Sequence, residues 1–269
     1  MKKITVITGA SSGMGAEFAV QLFNRYENLS DSQEREMWLL ARSQQNLEQI
    51  AQSLCGNTAK TKVRIFPVDL GGAEGAERFN HLLETESESS PFKIECLVNN
   101  AGFGTYGPFE ETPVNKEMQM IDLNCTSLTG ICGYSLKYLE EGSLVINVAS
   151  LASFMPLGNF AVYAASKAYV LSFTLALAAE LEPKKIKVCA LCPGSVSTNF
   201  ANVASNGKRR EVLHGRDPKK VVSHCLKNAY RGKKMILTFA KWRLTAFASR
   251  FAGRFLVARM TFKFAKRPH

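Results

Sequence analysis

The sequence lacks most of the features that mark secreted, metal-dependent and repeat proteins. Met1-Lys2-Lys3 runs directly into an apolar segment, so we expect no secretory signal. The seven cysteines are then expected to stay reduced, as in a cytoplasmic protein. The four histidines are scattered without the spacing of metal ligands, so no metal site is expected. No internal repeat, long linker or low-complexity tract divides the 269 residues.

The sequence does contain a regular alternation of strand-like and helix-like segments. Short runs rich in Val, Ile and Leu are separated by stretches with helical spacing of their apolar residues. This alternation predicts an α/β fold, a single doubly wound parallel sheet with helices on both faces. We assign residues 1–240 to this catalytic domain and residues 241–269 to a basic helical extension of it. The predicted strands are 4–8, 37–41, 62–68, 94–98, 143–148, 186–191 and 235–239.

A glycine-rich turn joins the first predicted strand to a helical segment over residues 16–26. In such a unit, glycines permit a tight turn, let the backbone approach a pyrophosphate and let the helix pack closely on the strand. The free N–H groups of the helix amino terminus then face the phosphates. The spacing is G-x-x-x-G-x-G, which differs from the usual G-x-G-x-x-G. The expected cofactor-binding residues in this turn are Gly9, Ser11, Ser12, Gly13, Met14 and Gly15.

Tyr163 and Lys167 form a Tyr-x-x-x-Lys pair, with Ser150 thirteen residues before the tyrosine. Residues four apart on a helix point the same way, so the ammonium group can lie beside the phenol. A nearby cation favours phenolate and prepares the phenol for proton transfer near neutral pH. The Ser150 hydroxyl could hold a substrate oxygen against the same phenol. We therefore expect proton exchange with an alcohol or carbonyl oxygen.

Five motifs in order resemble the short-chain dehydrogenases/reductases of the classical type, and together they extend from residue 4 to residue 200. The resemblance implies a Rossmann-type sheet of about seven strands in the order 3-2-1-4-5-6-7. It also implies an oxidoreductase that acts on CH–OH groups with a nicotinamide cofactor. The matching residues are Thr8-Gly9-x-x-x-Gly13-x-Gly15, Asn99-Asn100-Ala101-Gly102, Asn124, Ser150 with Tyr163-x-x-x-Lys167, and Pro193-Gly194-x-Val196-x-Thr198.

The same resemblance implies a role for individual residues. Tyr163 would be the acid or base, Lys167 would lower its pKa and bind the nicotinamide ribose, and Ser150 would position the substrate. Asn124 would hold a water that links Lys167 to solvent. The remaining cofactor contacts would come from Asp69 and Leu70 near the adenine, from Asn100, Ala101 and Gly102, and from Pro193, Gly194, Val196 and Thr198.

The charge of the residues after the second strand indicates whether the cofactor carries a 2′-phosphate, as NADP does and NAD does not. An acidic residue at the end of the second strand would bind the 2′-hydroxyl of NAD. Here Arg42 and Ser43 follow that strand, and the next acid is Glu48. An arginine fork with a serine hydroxyl suits a 2′-phosphate. We therefore predict NADP(H).

Apolar residues dominate the loops expected around Tyr163. They include Phe103, Tyr106 and Phe109, the stretch 151–160, and Phe200 with Val203. Because ligand pockets are mostly apolar, these loops favour a lipophilic ketone or alcohol, such as a fatty acyl or steroid compound. The alternative is that part of this set faces the core or a subunit interface. Residues 199–217 are expected to form a lid over the site.

The carboxyl-terminal part carries all the excess positive charge. Residues 208–269 contain eighteen Lys or Arg and two acids, a net charge of +16, whereas the remaining chain carries −5. Basic residues interrupt an aromatic-rich sequence after residue 241. After Arg254 these basic residues change from one helical face to another, which predicts two helices with a break. No run there is long and uncharged enough to span a bilayer. Two explanations remain open: peripheral contact with an anionic membrane, or packing on the domain or a partner subunit.

The sequence leaves the oligomeric state and the exact function open. The resemblance implies a homodimer or homotetramer through the helical segment Tyr163–Glu182. No nucleic-acid-binding module is recognisable. The favoured function is an NADP(H)-dependent carbonyl reductase or alcohol dehydrogenase. The alternatives are a catalytically silent nucleotide-binding protein on the same scaffold, or an epimerase or dehydratase relative.

Overall fold

Apolar runs of the chain form a parallel sheet of seven strands. The computed structural model describes residues 1–54, 60–209 and 215–266. The strand order is β3-β2-β1-β4-β5-β6-β7, which confirms the predicted topology. The strands are β1 (Lys2–Thr8), β2 (Arg35–Ala41), β3 (Thr61–Pro67), β4 (Phe92–Asn99), β5 (Leu139–Val148), β6 (Lys187–Leu191) and β7 (Met235–Ile236).

Helices connect the strands and cover both faces of the sheet. They are α1 (Gly13–Glu27), α2 (Gln44–Leu54), α3 (Gly72–Ser89), α4 (Val114–Ile121), α5 (Leu128–Ser135), α6 (Ala161–Leu181), α7 (Phe200–Ala204), α8 (Pro218–Tyr230), α9 (Ala240–Ala248) and α10 (Arg254–Phe264). A π-helical turn, Asp122–Ser127, joins α4 to α5, and a 3-10 turn, Leu151–Phe154, follows β5.

The sheet is apolar on both faces because helices cover it on both sides. Ile4, Val6 and Ile7 of β1 and Val98 of β4 have no exposed surface, as expected of a central parallel strand pair. β1 lies between β2 and β4, so the strand order reverses direction at this point. The crevice outside the carboxyl ends of β1 and β4 is where open α/β sheets bind their ligands.

All seven predicted strands are present, but two details of the prediction were wrong. β7 ends at Ile236 instead of residue 239, because the chain turns away there to begin α9. The break in the carboxyl-terminal segment comes at residues 249–253, so Arg254 belongs to the second helix and does not share a helical face with Arg243. The polar segment before β2 forms a loop that ends at Arg35, whose guanidinium pairs with Asp31 at 2.6 Å and Glu95 at 2.9 Å.

One helical stretch, Ala161–Lys184, is long and apolar enough to cross a membrane by length and composition alone. It consists of α6 and the short turn after it. Ser166, Lys167 and Thr174 on this helix are buried, and the helix packs against β6 and the 3-10 turn Leu151–Phe154. The side of the helix that carries these residues packs against the protein, whereas Tyr169 and Leu175 on the other side are 43% and 38% exposed.

Candidate active site

The glycine turn after β1 has the geometry of a dinucleotide-binding loop. Gly9 and Gly13 have φ angles of +64° and +55°, which favour glycine. A side chain on Gly15 would place its Cβ 2.1 Å from the Gly9 carbonyl oxygen, so only glycine lets α1 approach the strand this closely. Ser12 precedes α1 without a side-chain cap, which leaves the amide groups of the first turn for an anion. Ser11 and Met14 are half-buried in the same turn.

Thr8 and Asn100 fasten the carboxyl ends of β1 and β4 to each other. The Thr8 hydroxyl accepts hydrogen bonds from the backbone amides of Asn100 and Ala101, both at 3.0 Å. The Asn100 amide donates to the carbonyls of Thr8 and Gly9 at 3.1 and 3.2 Å. Asn100 therefore shapes the crevice through these bonds, and Ala101 lies against Gly9.

Tyr163 and Lys167 lie side by side on α6, with 8% and 4% of their surfaces exposed. The ammonium nitrogen of Lys167 is 5.8 Å from the centre of the Tyr163 ring. The same nitrogen donates to the Val148 carbonyl at the end of β5, at 2.8 Å. Burial lowers the pKa of Lys167 from 10.5 to about 8, although nearby Cys125 and Cys192 act in the opposite direction. The two side chains predicted to exchange a proton with the substrate are thus brought together at the carboxyl edge of the sheet.

Ser150 begins the 3-10 turn that follows β5. Its hydroxyl accepts from the Ala152 amide at 3.1 Å and donates to the Pro193 carbonyl at 3.4 Å. Ser153 closes the turn, because its hydroxyl accepts from the Ser150 amide at 3.3 Å and donates to the Lys167 carbonyl at 2.7 Å. Ser153 therefore ties the Ser150 turn to the helix that carries Lys167.

Asn124 lies in the π-helical turn between α4 and α5 and is almost completely buried. Its side-chain amide donates to the Phe103 carbonyl at 3.0 Å and the Ser166 hydroxyl at 3.1 Å, and its oxygen accepts from the Phe103 amide at 3.1 Å. A Cβ on Gly102 would lie 2.7 Å from this oxygen and 3.4 Å from the Lys167 nitrogen. The Asn124 side chain thus holds the loop that follows β4 in place beside Lys167, and we call this arrangement the Asn124 clamp. The role of Asn124 in holding a water stays a prediction. π-helical turns are frequent at functional sites.

Aromatic rings pack around Tyr163. Phe160 stacks on the Tyr163 ring at 4.2 Å, and the Phe200 ring lies 5.4 Å away. Tyr106 contacts Phe160 edge-on at 5.0 Å. Among the other residues expected in the substrate pocket, Phe109 is exposed on the surface and Phe154 packs against the main core, so only part of the predicted set gathers at Tyr163.

The residues predicted to bind the adenosine half lie after β2 and β3. Arg42 is exposed directly after β2. Ser43 accepts a hydrogen bond from the Asn46 amide at 3.3 Å at the start of α2, so its hydroxyl proton is still free to be donated. Asp69 accepts from the Gly71 amide at 3.0 Å, and Leu70 is buried against the start of α3.

The Pro193–Thr198 segment returns from β6 toward the glycine turn. A Cβ on Gly13 would lie 3.2 Å from the Thr198 Cβ, which places the two halves of the expected cofactor site in contact. Val196 is buried and pairs with Arg216 in a short parallel bridge. Gly194 faces the Trp242 indole of α9, at a distance that leaves no space for a side chain. The predicted lid falls partly on residues 210–214, outside the described part of the chain.

Three contacts that support the site were not predicted, although Ser153 and Phe160 lie in the stretch 151–160 that was expected around Tyr163. Ser153 bonds both the Ser150 turn and the Lys167 backbone, Ser166 bonds Asn124, and Phe160 stacks on Tyr163. The Ser-x-x-Ser spacing of residues 150 and 153 resembles a capping box and could have indicated the first. The other two have no local signal, because their partners are brought together only by the packing of α6.

Comparisons with known proteins agree with this geometry. A family model described as short chain dehydrogenase matches residues 3–209. The relative 11-beta-hydroxysteroid dehydrogenase-like 3 from Arabidopsis thaliana is 30% identical over 235 residues, which are 86% of this chain and 70% of the relative.

Solved structures share the fold over nearly the whole chain. A short-chain dehydrogenase from Sphingobium yanoikuyae in complex with NADPH has a TM-score of 0.75 and 24% identity, over 93% of this chain and 94% of that one. A short-chain dehydrogenase/reductase from Burkholderia phymatum in complex with NAD has a TM-score of 0.77 and 20% identity, over 91% and 92% of the two chains. The motifs, the strand order and the family match lead to one conclusion: this chain belongs to the short-chain dehydrogenase family.

Proposed function

We propose that the protein is an NADP(H)-dependent oxidoreductase that interconverts a lipophilic ketone or aldehyde and the corresponding alcohol. The observation that carries the proposal is the buried pair of Tyr163 and Lys167 at the carboxyl edge of the sheet. This pair lies beside Gly102 and the Asn124 clamp, next to the crevice that the glycine turn opens.

A bound nicotinamide cofactor would supply or accept the hydride. The protein's contribution is orientation and proton transfer. The Tyr163 hydroxyl gives its proton to the carbonyl oxygen during reduction and takes it back during oxidation. The Lys167 ammonium favours the phenolate that remains, and its bond to Val148 keeps it in place. Ser150 directs the substrate oxygen toward the phenol.

The choice of NADP(H) rests on Arg42. Its guanidinium lies exposed at the end of β2, where a ribose 2′-phosphate would sit, and no acid occupies the position that selects NAD. The complexes of the two similar structures contain NADPH in one case and NAD in the other, so the fold alone does not decide between them. The local charge favours the phosphorylated cofactor.

The proposal of a lipophilic substrate is based on the aromatic rings around Tyr163. Phe160, Phe200 and Tyr106 form an apolar wall beside the phenol, and a polar substrate would lose hydration there without gaining hydrogen bonds. The name of the similar plant protein refers to a hydroxysteroid, which agrees with a bulky apolar substrate for this chain.

The reaction is tested by following NADPH oxidation with ketones of graded chain length and ring size. We expect turnover of the apolar members and a loss of about 10²- to 10⁴-fold in kcat for Tyr163→Phe, because the proton donor is removed. NADPH should still quench the tryptophan fluorescence of this variant on binding. Binding of NADPH by the wild-type protein with no turnover across the whole panel would contradict the proposal and favour a silent nucleotide-binding protein.

Cofactor choice is tested with Arg42→Asp, by comparing kcat/KM for NADPH and NADH. A charged hydrogen bond to the phosphate contributes about 1.5–3 kcal/mol, so the preference for NADPH should fall by roughly 10- to 100-fold. Arg231→Asp is the matched control, because Arg231 is exposed at the far end of α8. An unchanged ratio in Arg42→Asp would refute the role of this arginine.

A further inference from the structure

The outward surface of α9 and α10 combines cations with apolar side chains and contains no acid. Asp217 is the last acidic residue of the sequence. All lysines and arginines of residues 240–266 are exposed, and the ion pairs found among the described residues include none of them. We call this surface the basic apolar surface; its cations are Lys241, Arg243, Arg250, Arg254, Arg259, Lys263 and Lys266.

Large apolar side chains stand between these cations. Phe251, Phe255 and Phe264 expose 76%, 81% and 72% of their surfaces. Leu256 and Met260 on α10 and Leu244 and Phe247 on α9 are also more than half exposed. Clusters of exposed aromatic residues on a folded domain mark an interaction site, because leaving them in water is unfavourable.

The two helices are fastened to the domain by their inner sides. Trp242 is buried against Gly194, and Gly158 lies so close to the Phe262 backbone that a Cβ there would be 2.7 Å from it. The Gly158 amide donates to the Thr261 hydroxyl at 2.9 Å, and the Asn159 amide donates to the Phe262 carbonyl at 3.0 Å near the end of α10. These contacts fix which side of the helices faces outward.

We propose that the basic apolar surface docks the protein on an anionic membrane. Lysine and arginine near a bilayer are attracted by anionic headgroups, and aromatic and aliphatic side chains enter the boundary between headgroups and acyl chains. On α10 the two kinds of residue share the outward side: Arg259 and Lys263 lie one turn apart, with Leu256 and Met260 on one flank and Phe255 on the other. Long basic side chains can reach the headgroups while the apolar ones enter the membrane.

Charge argues against a second copy of the chain as the occupant. In a twofold dimer the same patch meets itself, and here that would bring cation against cation. An anionic bilayer complements both the charge and the apolar residues of the surface.

Docking would also orient the candidate active site, a consequence that rests on the proposed function. Gly158 and Asn159 hold α10, and Phe160, the next residue, stacks on Tyr163. The rings beside Tyr163 are therefore connected to α10 through three consecutive residues. On a docked protein, a lipophilic substrate would have a short path through water between the bilayer and the candidate active site.

The test is co-sedimentation of the full-length protein with vesicles of phosphatidylcholine, with and without phosphatidylglycerol. We expect binding only when the anionic lipid is present, and weaker binding as salt screens the charges. Each cation near the membrane surface strengthens the partitioning of the protein onto vesicles about five-fold. The double substitution Arg259→Gln with Lys263→Gln should therefore lower binding roughly 25-fold. Lys220→Gln with Lys227→Gln, two exposed lysines of α8, changes the net charge equally and should bind like wild type.

A second pair separates membrane docking from attraction to any polyanion. Phe251→Ser with Phe255→Ser keeps every charge, and we expect it to lower vesicle binding about ten-fold or more, because the apolar contribution is lost. Equal binding of this pair and wild type would overturn the proposal, as would failure of the wild type to sediment with anionic vesicles. The wild type could instead self-associate in analytical ultracentrifugation and fail to bind vesicles. If the Phe pair abolished this self-association, a second chain would be the occupant, and the proposal would also be overturned. Because docking is measured without substrate, and ketone turnover without lipid, failure of one is distinguishable from failure of the other.

Discussion

The buried charge of Lys167 should make the stability of the protein depend on pH in a way that one substitution removes. Burial lowers the pKa of this lysine to about 8, against 10.5 for an exposed lysine. The difference corresponds to about 3 kcal/mol by which the buried ammonium destabilises the native state below pH 8. Lys167→Met removes this cost, but it also removes the bond to the Val148 carbonyl, so the absolute change in stability combines two opposing effects.

The pH dependence of the stability separates the effect of the charge from the effect of the lost hydrogen bond. Between the native and unfolded pKa values the unfolded chain binds more protons, so wild-type stability gains a contribution that increases with pH in this window. The gain should be about 1.4 kcal/mol between pH 7 and pH 9, and Lys167→Met should lack it. Buried thiols such as Cys96 and Cys132, whose pKa is raised by burial, act in the opposite direction at alkaline pH, but they do so equally in both proteins.

Urea unfolding of wild type and Lys167→Met at pH 7, 8 and 9, without cofactor, measures the difference. Lys227→Met, in which an exposed lysine is lost, should run parallel to wild type at all three pH values. A stability difference between wild type and Lys167→Met that stays constant from pH 7 to pH 9 would refute the inference that the ammonium is desolvated.

Two further substitutions test how the site is built. Gly15→Ala would bring a Cβ to 2.1 Å from the Gly9 carbonyl oxygen, so we expect more than about 3 kcal/mol of destabilisation by urea unfolding, whereas Gly133→Ala, where no atom lies within 4 Å, should be stabilised by about 0.5–1 kcal/mol. Ser153→Ala leaves the Lys167 carbonyl without its 2.7 Å bond, so we expect a loss of about 1–3 kcal/mol in stability together with a lower kcat. An unchanged kcat in Ser153→Ala would show that this hydroxyl supports the fold but not the position of Tyr163 and Lys167.

The sheet and its order could be predicted because the signal is repeated along the chain. Each strand is a short apolar run between helical stretches, and the glycine turn identifies the first strand. The end of β7 and the break near Arg254 were placed wrongly, since a two-residue strand and a helix phase carry little local information. Lys167 lies near the Tyr163 ring because the two residues are four positions apart on one helix, so this spacing was enough to predict that they lie side by side.

The environment of that pair could not be predicted in the same way. The stacking of Phe160 on Tyr163 depends on how the loop before α6 folds back, and the attachment of α10 depends on contacts between residues about a hundred positions apart. The sequence indicated two basic helices but not which side of them would face outward. Only the burial of Trp242 and the bonds from Gly158 and Asn159 decide that.

The attachment of α10 has a consequence for engineering the substrate range of the proposed oxidoreductase. Residues 157–160 would be natural positions to randomise, since Phe160 lies against the Tyr163 ring. Asn159, however, adopts a φ of +60° and holds the last turn of α10. Libraries that vary the whole loop would therefore detach a distant helix in many of their members, and loss of activity would be mistaken for poor substrate fit. Varying Leu157 and Phe160 while keeping Gly158 and Asn159 would separate the two effects.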